Sequence, residues 1–213
     1  MSNCHVIIRG RPNDDPLGPT GTVGLIIDDA FIILVDAGDP WNGSEIVEKL
    51  REHRVTPSQV THVVVTHGHL DHCANLGLFA EATIIMDWDI GRKSKENQNK
   101  AEYSVVPSWP YRVTDNCEIT NLSGHTASDT IVIVRDKKMK RTVVYAGDLV
   151  EDSEDLKKFE ESSMTSVIDD NDLLSSQEFI FGSGDIIIPG HGSSFENINR
   201  DLFLFYWFSK RFM

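Results

Sequence analysis

The sequence predicts an α/β protein made of two mixed β-sheets packed face to face, with helices on their outer sides. Three observations carry that prediction. Short, β-branched apolar runs of strand length recur along the chain, separated by turn residues and amphipathic stretches. They come in two batches, roughly residues 1–115 and 116–213, and each batch ends in helical sequence. No run approaches the roughly 18 apolar residues of a membrane span. At 213 residues the chain is expected to form a single domain over 1–213, with a core large enough to need no disulfide framework.

Val6-Ile7-Ile8, Val23 to Ile27 and Phe31 to Val35 read as strands. Asp28-Asp29 joins the last two as a hairpin turn, because Asp tolerates left-handed backbone angles. Asn42-Gly43-Ser44-Glu45 opens a helix with capping-box spacing, and Ile46, Val47 and Leu50 supply its buried stripe. Pro57-Ser58 breaks it. Val60 to Thr66 is a strand ending at a histidine cluster, Leu76 to Phe79 a short helix and Thr83 to Met86 a strand. Residues 87–116 are the least regular stretch, with Arg92, Lys93, Lys95 and Lys100 set against Glu96 in one loop. Cys117 to Leu122, Thr130 to Arg135, Thr142 to Ala146 and Asp185 to Ile188 read as further strands. The acid-crowded 151–172 reads as a solvated helix-and-loop face. The aromatic tail Phe203, Phe205, Tyr206, Trp207 and Phe208 is expected to pack on the domain's own sheets, the alternative being a homodimer surface.

Composition excludes several function classes. The net charge of −13 argues against a generic nucleic-acid coat protein and against electrostatic attachment to anionic lipid, though not against a local basic groove. Cys4, Cys73 and Cys117 form no CxxC pair, as in a reduced intracellular protein, and Cys73 reads as a buried helix residue. Met1 to Gly10 holds no apolar signal core, so the expected location is the cytoplasm, without a membrane partner.

The chemistry is concentrated in Thr66-His67-Gly68-His69-Leu70-Asp71-His72. Residues two apart on extended backbone face the same way, so His67 and His69 can bind one ion. The chain then turns, and Asp71 and His72 face a second position. Imidazole with carboxylate suits zinc, and also admits iron or manganese. Gly124-His125-Thr126, Gly147-Asp148 and Pro189-Gly190-His191-Gly192 each follow a strand, and together they complete a two-metal set. His5, His53 and His62 have no matching context.

With Asp36 in Val35-Asp36-Ala37-Gly38, the His67/His69/Asp71/His72 cluster, His125, Asp148 and His191, the sequence resembles the metallo-β-lactamase superfamily over about residues 20–195. The resemblance implies an αβ/βα sandwich with the site at one edge of the paired sheets. It implies two divalent metal ions, zinc foremost, the first held by His67, His69 and His125, the second by Asp71, His72 and His191, with Asp148 bridging. A hydroxide held between two such cations would be the nucleophile, and Asp71 would orient it or take its proton. Asp36 is expected to hold a ligand histidine through its other ring N–H, the alternative being a cap on the turn at Ala37-Gly38.

Asp148 stands where true β-lactamases have a cysteine, which points to hydrolase branches such as glyoxalase II and the RNA-processing nucleases. The short stretch after His191 is expected to leave no room for the helical C-terminal extension of glyoxalase II enzymes, and no counterpart is expected for the inserted domain of the polyadenylation-type cleavage factors. Thr66 to Phe79, Ala146 to Leu149 and Ile188 to Gly192 are similar to a branch of dimeric, cytosolic and nuclear endoribonucleases that cut histone pre-mRNA 3′ ends. That similarity implies an RNA substrate. The alternative is a small-molecule thioesterase or esterase of glyoxalase II type, which the acidic charge favours.

Overall fold

The computed structural model describes residues 2–97, 100–136, 140–164, 172–201 and 203. The first sheet has seven strands in chain order: β1 (Ser2–Ile8), β2 (Val23–Asp28), β3 (Phe31–Val35), β4 (His62–Val65), β5 (Thr83–Met86), β6 (Asp89–Lys93) and β7 (Ala101–Val105). The second runs β13-β12-β11-β10-β9-β8, from β8 (Tyr111–Arg112), β9 (Cys117–Leu122), β10 (Asp129–Asp136), β11 (Arg141–Gly147), β12 (Ile186–Pro189) and β13 (Phe195–Glu196). Pairing is parallel along β3-β4-β5 and between β11 and β12, and antiparallel elsewhere. Helix α1 (Gly43–Glu52) links β3 to β4, the single turn α2 (Leu70–Cys73) follows β4, and α3 (Ser153–Met164) and α4 (Asp172–Ser183) lie between β11 and β12.

The near-continuous apolar runs are explained by burial on both faces of each sheet. Side chains alternate across a strand. Ile26, Ile33, Val35 and Val64 therefore meet Ile119, Val132, Val134, Val143 and Tyr145 of the other sheet. Their neighbours Leu25, Leu34, Val63 and Val65 point outward onto Ile46 and Leu50 of α1. On the far side Ile131, Ile133, Val144 and Ala146 pack on Phe159 of α3 and on Ile180 and Phe181 of α4. The layer order is thus helix, sheet, sheet, helix, as expected. At one end the sheets are pinned by buried Asp28, whose carboxylate accepts from Thr114 Oγ1 at 2.5 Å and Asn116 Nδ2 at 2.9 Å. At the other end the Thr130 N–H donates to the Thr66 carbonyl at 2.7 Å and the Thr22 N–H to the Gly190 carbonyl at 2.8 Å.

Several expectations need correction. Residues 87–116 are not one irregular loop but carry β6, β7 and β8, and the change of sheet falls between β7 and β8 rather than near residue 115. The alternation there is hidden because β7 is an edge strand, with Tyr103 and Val105 exposed. Arg92 and Lys93 lie on β6, where Arg92 pairs with Glu102 of the neighbouring strand at 3.0 Å and Lys93 with Glu81 at 2.6 Å. Asn42 makes no capping bond to α1. Its side-chain oxygen is drawn back to the preceding loop, 2.9 Å from Thr20 Oγ1, and its amide donates to Glu45 at 3.2 Å. A capping box is instead built by Thr56 and Gln59 at the next short 3-10 turn. Val47 and Cys73 are half-buried, and Leu76–Phe79 is a 3-10 turn.

Phe203 packs on Phe159 and Phe181, whereas Phe205, Tyr206, Trp207 and Phe208 lie outside the described residues. Glu154 and Asp155 of α3 pair with Lys157 and Lys158, in keeping with a solvated face. Among the described residues no helix is long and apolar enough to cross a membrane.

Where the sheets face each other, Gly24 lies so close to the ring of Tyr145 that an added Cβ would overlap it. That ring is buried and its hydroxyl donates to the His5 carbonyl at 3.1 Å, so it has no room to retreat. Gly24→Ala should cost about 1–3 kcal/mol by overpacking, read from urea unfolding. An unchanged midpoint would mean that the sheets separate freely there.

Candidate metal centre

The parallel pairs deliver their C-terminal ends to one edge of the sandwich, and the polar residues follow directly. Asp36 comes after β3, Thr66 and His67 after β4, Asp148 after β11, and His191 after β12. His69 precedes α2, whose first turn carries Asp71 and His72. His125 sits in the loop between β9 and β10.

All seven expected ligands are brought together, in two groups: His67, His69, His125 and Asp148, and Asp71, His72 and His191. In the first, His67 Nε2 and His125 Nε2 lie 3.0 and 3.1 Å from His69 Nδ1. The same two nitrogens lie 3.6 and 3.5 Å from Asp148 Oδ2. In the second, His72 Nε2 and His191 Nε2 are each 3.7 Å from Asp71 Oδ2 and 3.2 Å from one or other oxygen of Asp148. Asp148 therefore touches both groups. Metal–nitrogen bonds of about 2.0–2.1 Å in a tetrahedron set neighbouring ligand atoms about 3.3 Å apart, which these spacings bracket.

Two buried atoms facing this cluster, His72 Nε2 and Asp148 Oδ1, have no hydrogen-bond partner among the described residues. Such orphaned atoms cost about 1–3 kcal/mol each, and a cation between them would relieve both. The residues present thus fit a pair of divalent ions.

The outer ring nitrogens are held in turn. His191 Nδ1 donates to the carbonyls of Arg11 at 2.8 Å and Thr20 at 3.0 Å, leaving Nε2 free to ligate. His72 Nδ1 donates to Asp36 Oδ2 at 2.8 Å, the role expected of that carboxylate. Asp36 adopts φ 63 and also accepts from the Thr66 N–H at 2.7 Å, which ties the end of β3 to the end of β4.

Protonation follows from the surroundings. Burial, then the neighbouring His72, pushes His67 down to about 3, so that it is a neutral imidazole with a lone pair to give. Burial opposes the charged form of His72, but Asp36 and Asp148 outweigh it and hold its pKa well above the ordinary range. A cation at Nε2 would take that proton's place. Burial also works against ionised Asp148, yet the His191 and His72 imidazoles beside it hold it well below the usual carboxylate range.

A cleft of about 430 Å³ opens over the cluster. Its floor is His69, Asp71, His125, Asp148 and His191, and its rim includes Pro19, Pro40, Trp41 and Leu70. Trp41 is 85% exposed and Leu70 72%. No Lys or Arg lines it among the described residues.

The family model for the metallo-beta-lactamase superfamily matches residues 18–195. The chain belongs to the metallo-beta-lactamase superfamily. It is 34% identical over 203 residues to metallo-beta-lactamase domain-containing protein 1 of Xenopus laevis, covering 93% of this chain and 83% of that protein. The Mus musculus protein of the same name is 32% identical over 79% of this chain, which spans 62% of that relative's length. A solved Thermotoga maritima structure assigned to the metallo-beta-lactamases has a TM-score of 0.67 at 17% identity, covering 92% of this chain and 99% of that one, a likeness of fold.

Some parts of this metallo-beta-lactamase site were missed from sequence. Asp129 is buried and clamps the His125 loop, accepting from the N–H groups of His125 and Thr126 at 3.2 and 2.8 Å and from Thr126 Oγ1 at 2.8 Å. An Asp three residues after Thr126, at the mouth of a strand, was the available signal. The carbonyls of Arg11 and Thr20 left no side-chain signal at all. Asp129→Ala should cost about 2–3 kcal/mol in urea unfolding and speed hydrogen exchange around residues 124–128. Unchanged exchange there would show that the loop holds itself.

Proposed function

We propose that the chain is a hydrolase using two divalent cations, zinc foremost, held by His67, His69 and His125 on one side and by Asp71, His72 and His191 on the other, with Asp148 common to both. The observation that carries this is the convergence of six donors around one buried carboxylate, Asp148, at the floor of an open cleft. When bound, such cations acidify water and neutralise charge developing on a substrate oxygen. The protein's own residues do the rest. Asp71 is part-exposed to the cleft and its carboxylate orients the attacking water and accepts its proton. His72 and His191 hold Asp148 in place, and Asp36 holds His72. Pro19, Pro40, Trp41 and Leu70 confine the substrate at the rim.

Two substrate classes have support. Cleavage of RNA phosphodiesters is supported by the resemblance of the ligand motifs and by Trp41, which offers an open face on which a base can stack. Hydrolysis of a small acyl ester or thioester is supported by the cleft itself. RNA affinity rests largely on Lys and Arg contacts to phosphate, and the cleft lining has neither. Arg92 and Lys93 are already paired with Glu102 and Glu81. A homodimer and a cytoplasmic or nuclear location remain expectations carried by the resemblance.

The deciding experiment assays zinc-loaded protein on a single-stranded RNA and on an acyl-thioester series. Asp148→Ala should bring whichever activity is present below detection. If RNA is the substrate, Trp41→Ala should raise KM for RNA by roughly 5–150-fold, the equivalent of about 1–3 kcal/mol of stacking, and leave kcat nearly unchanged. Activity that survived in Asp148→Ala would contradict the shared-carboxylate mechanism.

A further inference from the structure

We propose that Thr66 is a positioning residue through which one buried carboxylate, Asp36, sets the ring orientation of a histidine at each of the two metal positions. His72, of the second group, donates from Nδ1 directly to Asp36 Oδ2 at 2.8 Å. His67, of the first group, does not touch Asp36. Its Nδ1 lies 3.1 Å from Thr66 Oγ1, which in turn lies 2.9 Å from the same Asp36 Oδ2. The Thr66 N–H occupies the other oxygen, Oδ1, at 2.7 Å.

Counting donors and acceptors assigns every proton. The Thr66 hydroxyl donates to Asp36 Oδ2, and its single hydrogen is spent there. The hydroxyl oxygen is then left with lone pairs only, so His67 Nδ1 must carry the hydrogen and donate to it. A neutral imidazole has one N–H. Placing it on Nδ1 frees Nε2, the atom that faces His69, His125 and Asp148. In His72 the direct bond to Asp36 likewise fixes an N–H on Nδ1, so that Nε2 is the atom that faces Asp71 and Asp148. Thr66 Oγ1 is also 3.4 Å from His72 Nδ1, but both groups donate to Asp36 Oδ2, so neither serves the other. All four residues are at most 3% exposed, which leaves little water to substitute for a missing partner.

The relay is therefore asymmetric. Removing the Thr66 hydroxyl releases His67 alone, and so the first position alone. The second position keeps its direct bond to Asp36. This rests on the two-cation reading given above, and the test separates the two. Thr66→Val and Thr66→Ser are compared with the unaltered protein, each checked for an unchanged melting profile. Zinc affinity is measured by chelator competition, and ring ¹⁵N shifts of the metal-free proteins report the tautomer of His67. Thr66→Val should lose about 10–100-fold in affinity at one of two positions, the usual size of an outer-partner effect. It should also lose the Nδ1–H tautomer of His67, and Thr66→Ser should restore both. An unaltered His67 tautomer in Thr66→Val, or equal weakening of both positions, overturns the proposal. Uptake of fewer than two zinc ions by the unaltered protein overturns the two-cation reading instead, while the tautomer measurement on metal-free protein still decides the role of Thr66.

Discussion

The edge of this sandwich is organised around one buried carboxylate. Asp148 lies within 3.2 to 3.6 Å of four imidazoles drawn from both sheets. Its own position is fixed by where β11 ends. The neighbouring chain passes so close that a Cβ on Gly190 would overlap Asp148 Oδ1, so glycine is required there. Displacing Asp148 would separate the two donor groups, because its two carboxylate oxygens reach His67 and His125 of one and His72 and His191 of the other.

Such a cluster is unfavourable by itself. Imidazole nitrogens of His67, His69 and His125 stand 3.0 to 3.1 Å apart, and the His67 side chain is almost fully withdrawn from water. Buried polar atoms without partners destabilise a fold, so the surrounding scaffold must over-determine their placement. It does so with ordinary means. Parallel strands end together, backbone bonds at Thr130 and Thr22 lock one sheet to the other beside the site, and the pin at Asp28 closes the far end. The apolar layers on either side of each sheet supply the stability against which the site is held.

Much of this was legible in the sequence, and for physical reasons. Strands with both faces buried must be continuously apolar, so β2, β3, β10 and β11 announce themselves. Ligand side chains lie at the ends of such runs and beside glycines, where backbones can approach. The same reasoning fails where the burial is weak. The hairpin β6–β7 carries charge pairs on its exposed side, and of the four residues that read as a basic loop Arg92 and Lys93 belong to β6 and are paired. Asn42 has the right spacing for a helix cap, but Thr20 and Asp39, distant or out of phase in sequence, claim its oxygen. Partners supplied by backbone carbonyls, as for His191, leave no trace in residue identity.

The substrate is the property least determined by the fold. An αβ/βα sandwich places chemistry at its edge and leaves the cleft rim to choose what is cut. Here the rim is open, and its apolar residues Pro19, Pro40, Trp41 and Leu70 stand beside two acids, Asp39 and Glu151. The central claim is that two cations share Asp148, and anomalous diffraction from crystals grown with zinc, recorded at the zinc edge, tests it most directly. The account predicts two peaks, one bounded by His67, His69 and His125 and the other by Asp71, His72 and His191, both in reach of Asp148. A single peak, or peaks away from these residues, would contradict it.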